Sequence, residues 1–181
     1  MTDKARLATV WLGGCSGCHM SFLDIDELLF DLAERVELVY SPLVDIKEFP
    51  ADVDIALVEG AIANEDNLEL ARVVRANTKT VVAFGDCAVT GNVTAMRNPL
   101  GDPQAILQRV YVDKVDRDGA IPDAEGIVPP LLPQVLTLRR AIDVDVYLPG
   151  CPPPADRIAE AVMGLLDGGL PADRGESIRF G

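Results

Sequence analysis

Long apolar runs are missing from this chain. No stretch approaches the ~20 residues that a membrane-spanning helix needs. The first residues, Met1-Thr2-Asp3-Lys4-Ala5-Arg6, form no apolar signal region, and strand-like sequence follows at once. The cytoplasm is the expected compartment, and no direct membrane insertion is expected. Positive charge is scarce. Sixteen Lys and Arg face 29 Asp and Glu, for a net charge of −13. That balance argues against nucleic acid and against an anionic membrane surface as partners. Aromatic residues make up only 5% of the chain, so the core must be built from Val, Leu, Ile and Ala, the material of parallel α/β sheets. There is one histidine, His19, and there are four cysteines. Structural disulfides are uncommon in the cytoplasm, where grouped cysteines are more often ligands or redox groups. No internal repeat or low-complexity tract is present.

At 181 residues the expectation is one domain spanning 1–181, large enough for a sizeable core. Its mean hydropathy is positive despite the acid content, which fits either apolar surface covered by a partner or a well-filled core. The first strand is read over Leu7–Leu12. A helix is expected over about 21–35, with Phe22, Ile25, Leu29 and Leu32 on one face and Asp24, Asp26, Glu27 and Asp31 on a solvated one. Val36–Tyr40 reads as a strand stopped by Ser41-Pro42. Further strands are read at Val53–Val58, Thr80–Phe84 and Val144–Leu148, with helices over Asn64–Asn77 and Ala155–Leu166. The proline- and glycine-rich stretch 91–144 reads as an irregular insertion with a function of its own, holding short helices at Pro103–Val110 and Pro133–Ala141. The tail from Asp167 is expected to be extended.

Strands alternating with helices predict a parallel sheet of about five strands with helices on both faces. Ligands in such sheets bind beyond the carboxyl ends of the strands. Cys15 and Cys18, Glu59, Cys87 and Cys151 all follow strand ends, so residues distant in sequence meet on one edge. Cys15-x-x-Cys18 alone suits zinc, iron–sulfur or dithiol chemistry. A thioredoxin-like role leaves Cys87 and Cys151 unexplained. Four-thiolate structural zinc usually takes two close pairs, whereas here one pair stands with two singles. A [4Fe–4S] cluster needs four thiolates and accepts them from separate loops. Gly13, Gly14, Gly17, Gly85 and Gly150 flank the thiols and allow backbone N–H groups to approach the sulfurs of such a cluster.

Four segments together carry a resemblance. They are Gly14-Cys15-Ser16-Gly17-Cys18-His19-Met20-Ser21-Phe22, Val58-Glu59-Gly60-Ala61-Ile62, Gly85-Asp86-Cys87-Ala88-Val89-Thr90-Gly91-Asn92 and Leu148-Pro149-Gly150-Cys151-Pro152-Pro153. In this order they resemble the small subunit of [NiFe] hydrogenases, of the cytoplasmic NAD-reducing (bidirectional) type. The resemblance implies a flavodoxin-like domain with one [4Fe–4S] cluster, on which Cys15, Cys18, Cys87 and Cys151 match the four ligand positions. It also implies an electron relay. A large subunit carrying the Ni–Fe centre cleaves H2, and diaphorase subunits with FMN and iron–sulfur clusters pass the electrons to NAD+. This chain would be a subunit of that enzyme with no catalytic residue of its own, since its four thiols leave none for nickel and iron. Longer small subunits carry further clusters and a twin-arginine signal; neither is found here, so the short class is expected. The complex I subunit with the same fold usually has adjacent cysteines in its first motif, which the Cys15-x-x-Cys18 spacing lacks. A complex I-like quinone-reductase subunit and a structural zinc interaction domain remain as alternatives.

Glu59 and His19 are the candidate residues around the cluster, Glu59 as a tuning or proton-moving acid and His19 as a hydrogen-bond donor. Asp86 is expected to orient the Cys87 loop, and Trp11 to pack. The strand edge that binds FMN in flavodoxins is the same edge, so Gly13–Gly17, Glu59–Asn64 and Gly85–Thr90 are candidate FMN loops, although no phosphate-cradling run of Ser and Thr occurs in them.

Overall fold

The computed structural model describes residues 4–169. Most of the expected extended tail therefore lies outside the described residues. Five strands form the main sheet: β1 (Ala5–Trp11), β2 (Val36–Tyr40), β3 (Val53–Glu59), β5 (Thr78–Phe84) and β7 (Val146–Leu148). All pair in parallel, in the order β2-β1-β3-β5-β7. The order reverses at β1, as in flavodoxin-like folds, and the crevice at such a reversal lies outside the carboxyl ends of the strands.

The central strands β1, β3 and β5 are buried on both sides, which is why they read as apolar runs, while the edge strands β2 and β7 expose Leu38 and Tyr147. Leu7, Ile55, Leu57, Val82 and Phe84 meet α1 (Gly17–Leu23), α2 (Leu28–Arg35) and α8 (Ala155–Leu166). Ala8, Val10, Ala56, Val58, Val81 and Ala83 point the other way. They pack on α3 (Glu65–Asn77), α4 (Asp86–Thr90) and α7 (Leu138–Ala141). No described helix is long and apolar enough to cross a membrane.

The structure departs from the sequence-based expectation in two places. The single helix expected over 21–35 is two helices, α1 and α2. Asp26 between them takes a φ of +52°, a left-handed conformation that Asp tolerates better than most residues. Phe22, Ile25 and Leu32 stay buried across the break, so one periodic pattern runs through both helices. The second departure is the stretch 91–144, which is less irregular than expected. It holds α5 (Asn92–Ala95), α6 (Pro103–Gln108) and a strand, β6 (Leu131–Leu136). β6 takes the first part of the helix expected over Pro133–Ala141, whose last four residues do form a helix, α7. β6 pairs antiparallel with the short β4 (Ile62–Asn64), and Pro133 costs little in a two-stranded ribbon where one edge needs no donor. Arg97 Nη2 donates to the carbonyls of Ala63 (3.0 Å) and Leu132 (2.8 Å), one on each strand. Asn98 exchanges two hydrogen bonds with the backbone of Val135.

At the amino ends of the strands, carboxylates tie neighbours together. Asp54 accepts from the backbone N–H of Arg6 (2.8 Å) and from Lys79 Nζ (2.6 Å). Asp145 accepts from the N–H of Val81 (2.8 Å) and from Arg75 (2.6 Å). Partial burial pushes both carboxyls up, but these donors outweigh it and hold both below the usual carboxylate range.

This packing makes two expectations measurable. Leu57, 1% exposed, sits in the central strand, and Leu57→Ala should cost about 2–5 kcal/mol in urea unfolding. A depressed carboxyl stabilises fully above its unfolded pKa of about 4 and loses that contribution as pH falls through its lower folded value. Asp54→Asn should therefore lower Tm at neutral pH and flatten the decline of Tm below about pH 4; parallel curves for variant and wild type would refute this.

Candidate metal centre

The four thiols reach one edge because three strands end there, each in a glycine turn. β1 ends in Leu12-Gly13-Gly14. The Leu12 N–H donates to the Glu59 carbonyl (2.8 Å), and Gly13 and Ala61 exchange backbone bonds of 2.9 and 2.8 Å. A Cβ at Gly13 would stand 2.9 Å from the Ala61 carbonyl oxygen, so this approach of two loops requires glycine. Cys15 is exposed, and Cys18 is buried in the first turn of α1.

The turn after β5 closes on that helix. Gly85 has a φ of +81°, and a Cβ there would collide with Cys18 Sγ. Both its conformation and its neighbour exclude a side chain. The next residue, Asp86, expected to orient the Cys87 loop, binds the third loop, that of Cys151. Its Oδ1 accepts from the Gly150 N–H (2.7 Å), and its own N–H donates to the Gly150 carbonyl (2.9 Å). Cys87, half-buried, and Cys151, exposed, are thereby held on neighbouring turns. Ser21 Oγ donates to the Pro153 carbonyl (2.6 Å), which ties α1 to the Cys151 loop.

The thiols feel one another. Burial, then the Glu59 carboxylate, then Cys87, Cys15 and Cys151 push the Cys18 thiol far above its ordinary range. Burial, then Cys15 and Cys151, raise Cys87, against the pull of the Thr94 hydroxyl and the Val93 N–H. Without a bound cation Cys18 and Cys87 hold their protons, and binding a metal must release them. Asn92 Nδ2 donates to Cys151 Sγ (3.2 Å), and Thr94 Oγ1 donates to the Gly13 carbonyl (2.8 Å). Among the described residues no group of three or more His, Cys, Asp or Glu is gathered tightly enough to hold a single metal ion. A cluster takes its thiolates at the corners of a larger body, and four mutually interacting thiols with glycine and amide donors around them fit that demand.

Glu59 is not a surface acid. It is 1% exposed, and His19 is 4% exposed. Glu59 Oε2 accepts from the His19 backbone N–H (3.0 Å) and makes a short hydrogen bond with His19 Nδ1. Ser16 caps α1 with no side-chain hydrogen bond, so a carboxylate from β3 satisfies an N–H of the first turn instead. His19 Nε2 is buried and has no partner among the described residues.

Sequence reasoning missed the donors Asn92 and Thr94, although Asn92 closes the Gly85–Asn92 motif. Trp11 does not pack in the core. It is 47% exposed and donates from Nε1 to the Gly14 carbonyl (3.1 Å). The three candidate FMN loops are the loops that carry or flank the thiols. Removing the carboxylate strands two buried donors, the His19 N–H and imidazole, so Glu59→Ala should cost ~3 kcal/mol in denaturant unfolding. Glu59→Gln keeps one acceptor and should cost less; equal midpoints for Glu59→Ala and wild type would refute the capping role.

The sequence profile of the NADH ubiquinone oxidoreductase 20 kDa subunit family matches residues 15–165. The chain is 41% identical over 174 residues to a subunit of the F420-non-reducing hydrogenase of Methanothermobacter thermautotrophicus, covering 93% of this chain and 55% of that protein. It thus spans little more than half of that relative's length. It is 38% identical over 171 residues to the delta subunit of the NAD-reducing hydrogenase HoxS of Cupriavidus necator, covering 91% of this chain and 80% of the relative. A crystal structure of NAD+-reducing [NiFe]-hydrogenase in the H2-reduced state contains a chain that superposes with a TM-score of 0.93 at 38% identity, over 99% of this chain and 100% of that one.

Proposed function

The chain belongs to the NADH ubiquinone oxidoreductase 20 kDa subunit family, among its hydrogenase small-subunit members, and on that premise we propose that it is the electron-transfer small subunit of a cytoplasmic NAD-reducing [NiFe] hydrogenase. In this reading Cys15, Cys18, Cys87 and Cys151 hold one [4Fe–4S] cluster, which supplies one-electron redox chemistry when bound. The observation that carries the reading is the convergence of four thiols from three strand-end turns on one edge of the sheet.

The chain's own residues then do three things. The glycine turns keep side chains away from the sulfurs. Asn92 and the Val93 N–H aim donors at Cys151 and Cys87, and hydrogen bonds to sulfur are one means of setting a cluster's potential. Glu59 fixes the helix turn that bears Cys18 and, with His19, forms a polar pair directly behind that thiol. None of these groups performs H2 chemistry. That step belongs to a large subunit with the Ni–Fe centre, and NAD+ reduction to diaphorase subunits with FMN and iron–sulfur clusters.

The surface at this end suits a permanent partner. Trp11, Met20, Val93, Met96 and Leu100 are between 47% and 71% exposed and come from the strand end, α1 and the 91–144 stretch. Apolar surface of this kind fits an obligate subunit contact.

Anaerobically purified protein should contain about four irons and four acid-labile sulfides per chain and give an S = 1/2 EPR signal on reduction. Cys18→Ser should lose the signal. Zinc without sulfide would overturn the relay reading, and co-purification with a quinone-reducing membrane subunit would overturn the hydrogenase one.

A further inference from the structure

At the far end of the sheet from the thiols lies a groove lined by arginines. It has a volume of about 460 Å³ and is formed by Arg72, Arg75 and Ala76 of α3, Arg139, Arg140 and Ala141 of α7, and the adjoining Ile142 and Asp143. α3 ends at Asn77, where β5 begins, so the groove sits at the amino ends of the strands. The seven residues of β5 separate the two ends by about 23 Å at ~3.3 Å per residue.

Arg75 is spent within the fold. It binds Asp145 Oδ2 at 2.6 Å and the carbonyls of Thr78, Lys79 and Asp143. Arg72, Arg139 and Arg140 are exposed, and none forms an ion pair among the described residues. The chain carries 13 more acids than bases, yet four arginines and one acid, Asp143, line this groove. Between them the floor is apolar, from Ala76, Ala141 and Ile142.

We infer that this groove is a docking surface for an acidic segment of a partner protein chain. Three exposed guanidiniums in an open groove hold a single small anion weakly in water. Successive carboxylates along one segment engage all three at once, each in the bidentate geometry that arginine favours, and the apolar floor takes the methylenes of their side chains. Nucleic acid is disfavoured by the charge of the whole chain. A partner held here leaves the thiol end free for another subunit. The inference stands on the groove alone and does not depend on which metal group the thiols hold.

Fluorescence anisotropy of a labelled hexaglutamate peptide with the full-length chain tests it. Wild type should bind at about 20 mM salt and less tightly at about 150 mM. Arg72→Glu/Arg139→Glu/Arg140→Glu should weaken binding at least tenfold, and a reversal elsewhere on the surface, Lys47→Glu, should leave it within twofold. Circular dichroism and Tm matching wild type establish that the triple variant is folded; should it not be, Arg139→Gln/Arg140→Gln replaces it with the same expected direction. No binding by wild type, or equal binding by the folded variants, overturns the inference. So does binding of inorganic phosphate without binding of the peptide.

Discussion

One carboxylate oxygen, Glu59 Oε2, sets the position of the helix that carries Cys18. A charged group this deep in a sheet is costly unless its hydrogen bonds are complete, and the donors it finds among the described residues belong to His19. The demand of the buried acid therefore fixes the first turn of α1 against the end of β3. Cys18 Sγ then lies over Gly85, where no side chain fits, and the β5 turn is set by that contact. Asp86 passes the constraint on to Gly150 and so to Cys151. Cys18, Cys87 and Cys151 are thus each placed by a bond or contact that depends on the preceding one.

The parts of this arrangement that are local in sequence were legible. Parallel strands buried on both faces appear as apolar runs, and glycine turns with cysteine mark their ends, so the sheet, its carboxyl edge and the four thiols could be read directly. Parts that depend on distant partners were not. Nothing near Leu131 announces a strand, because β6 exists only through pairing with Ile62–Asn64 and through the Arg97 and Asn98 bonds. The break at Asp26 was hidden because the apolar period continues through it. Glu59 was found by its place after a strand, but its burial required knowing that His19 would face it.

The two ends of the sheet differ in chemistry. The carboxyl end combines thiols, glycines and exposed apolar side chains with few ions. The amino end is a lattice of carboxylates and cations around Asp54 and Asp145. Exposed apolar side chains are not confined to the thiol end, since Leu28 and Phe30 on α2, and Ile127, also face outward.

The distribution of the thiols over β1, β5 and β7 has a consequence for how the protein is made. Cys15 and Cys18 are synthesised early and as neighbours, whereas Cys151 follows the last strand to join the sheet. Contacts so distant in sequence form late in folding, after the loops between them close. Until β7 docks, the first pair is an ordinary dithiol, open to adventitious zinc or to oxidation. The four-thiol site is thus a property of the finished sheet rather than of any segment.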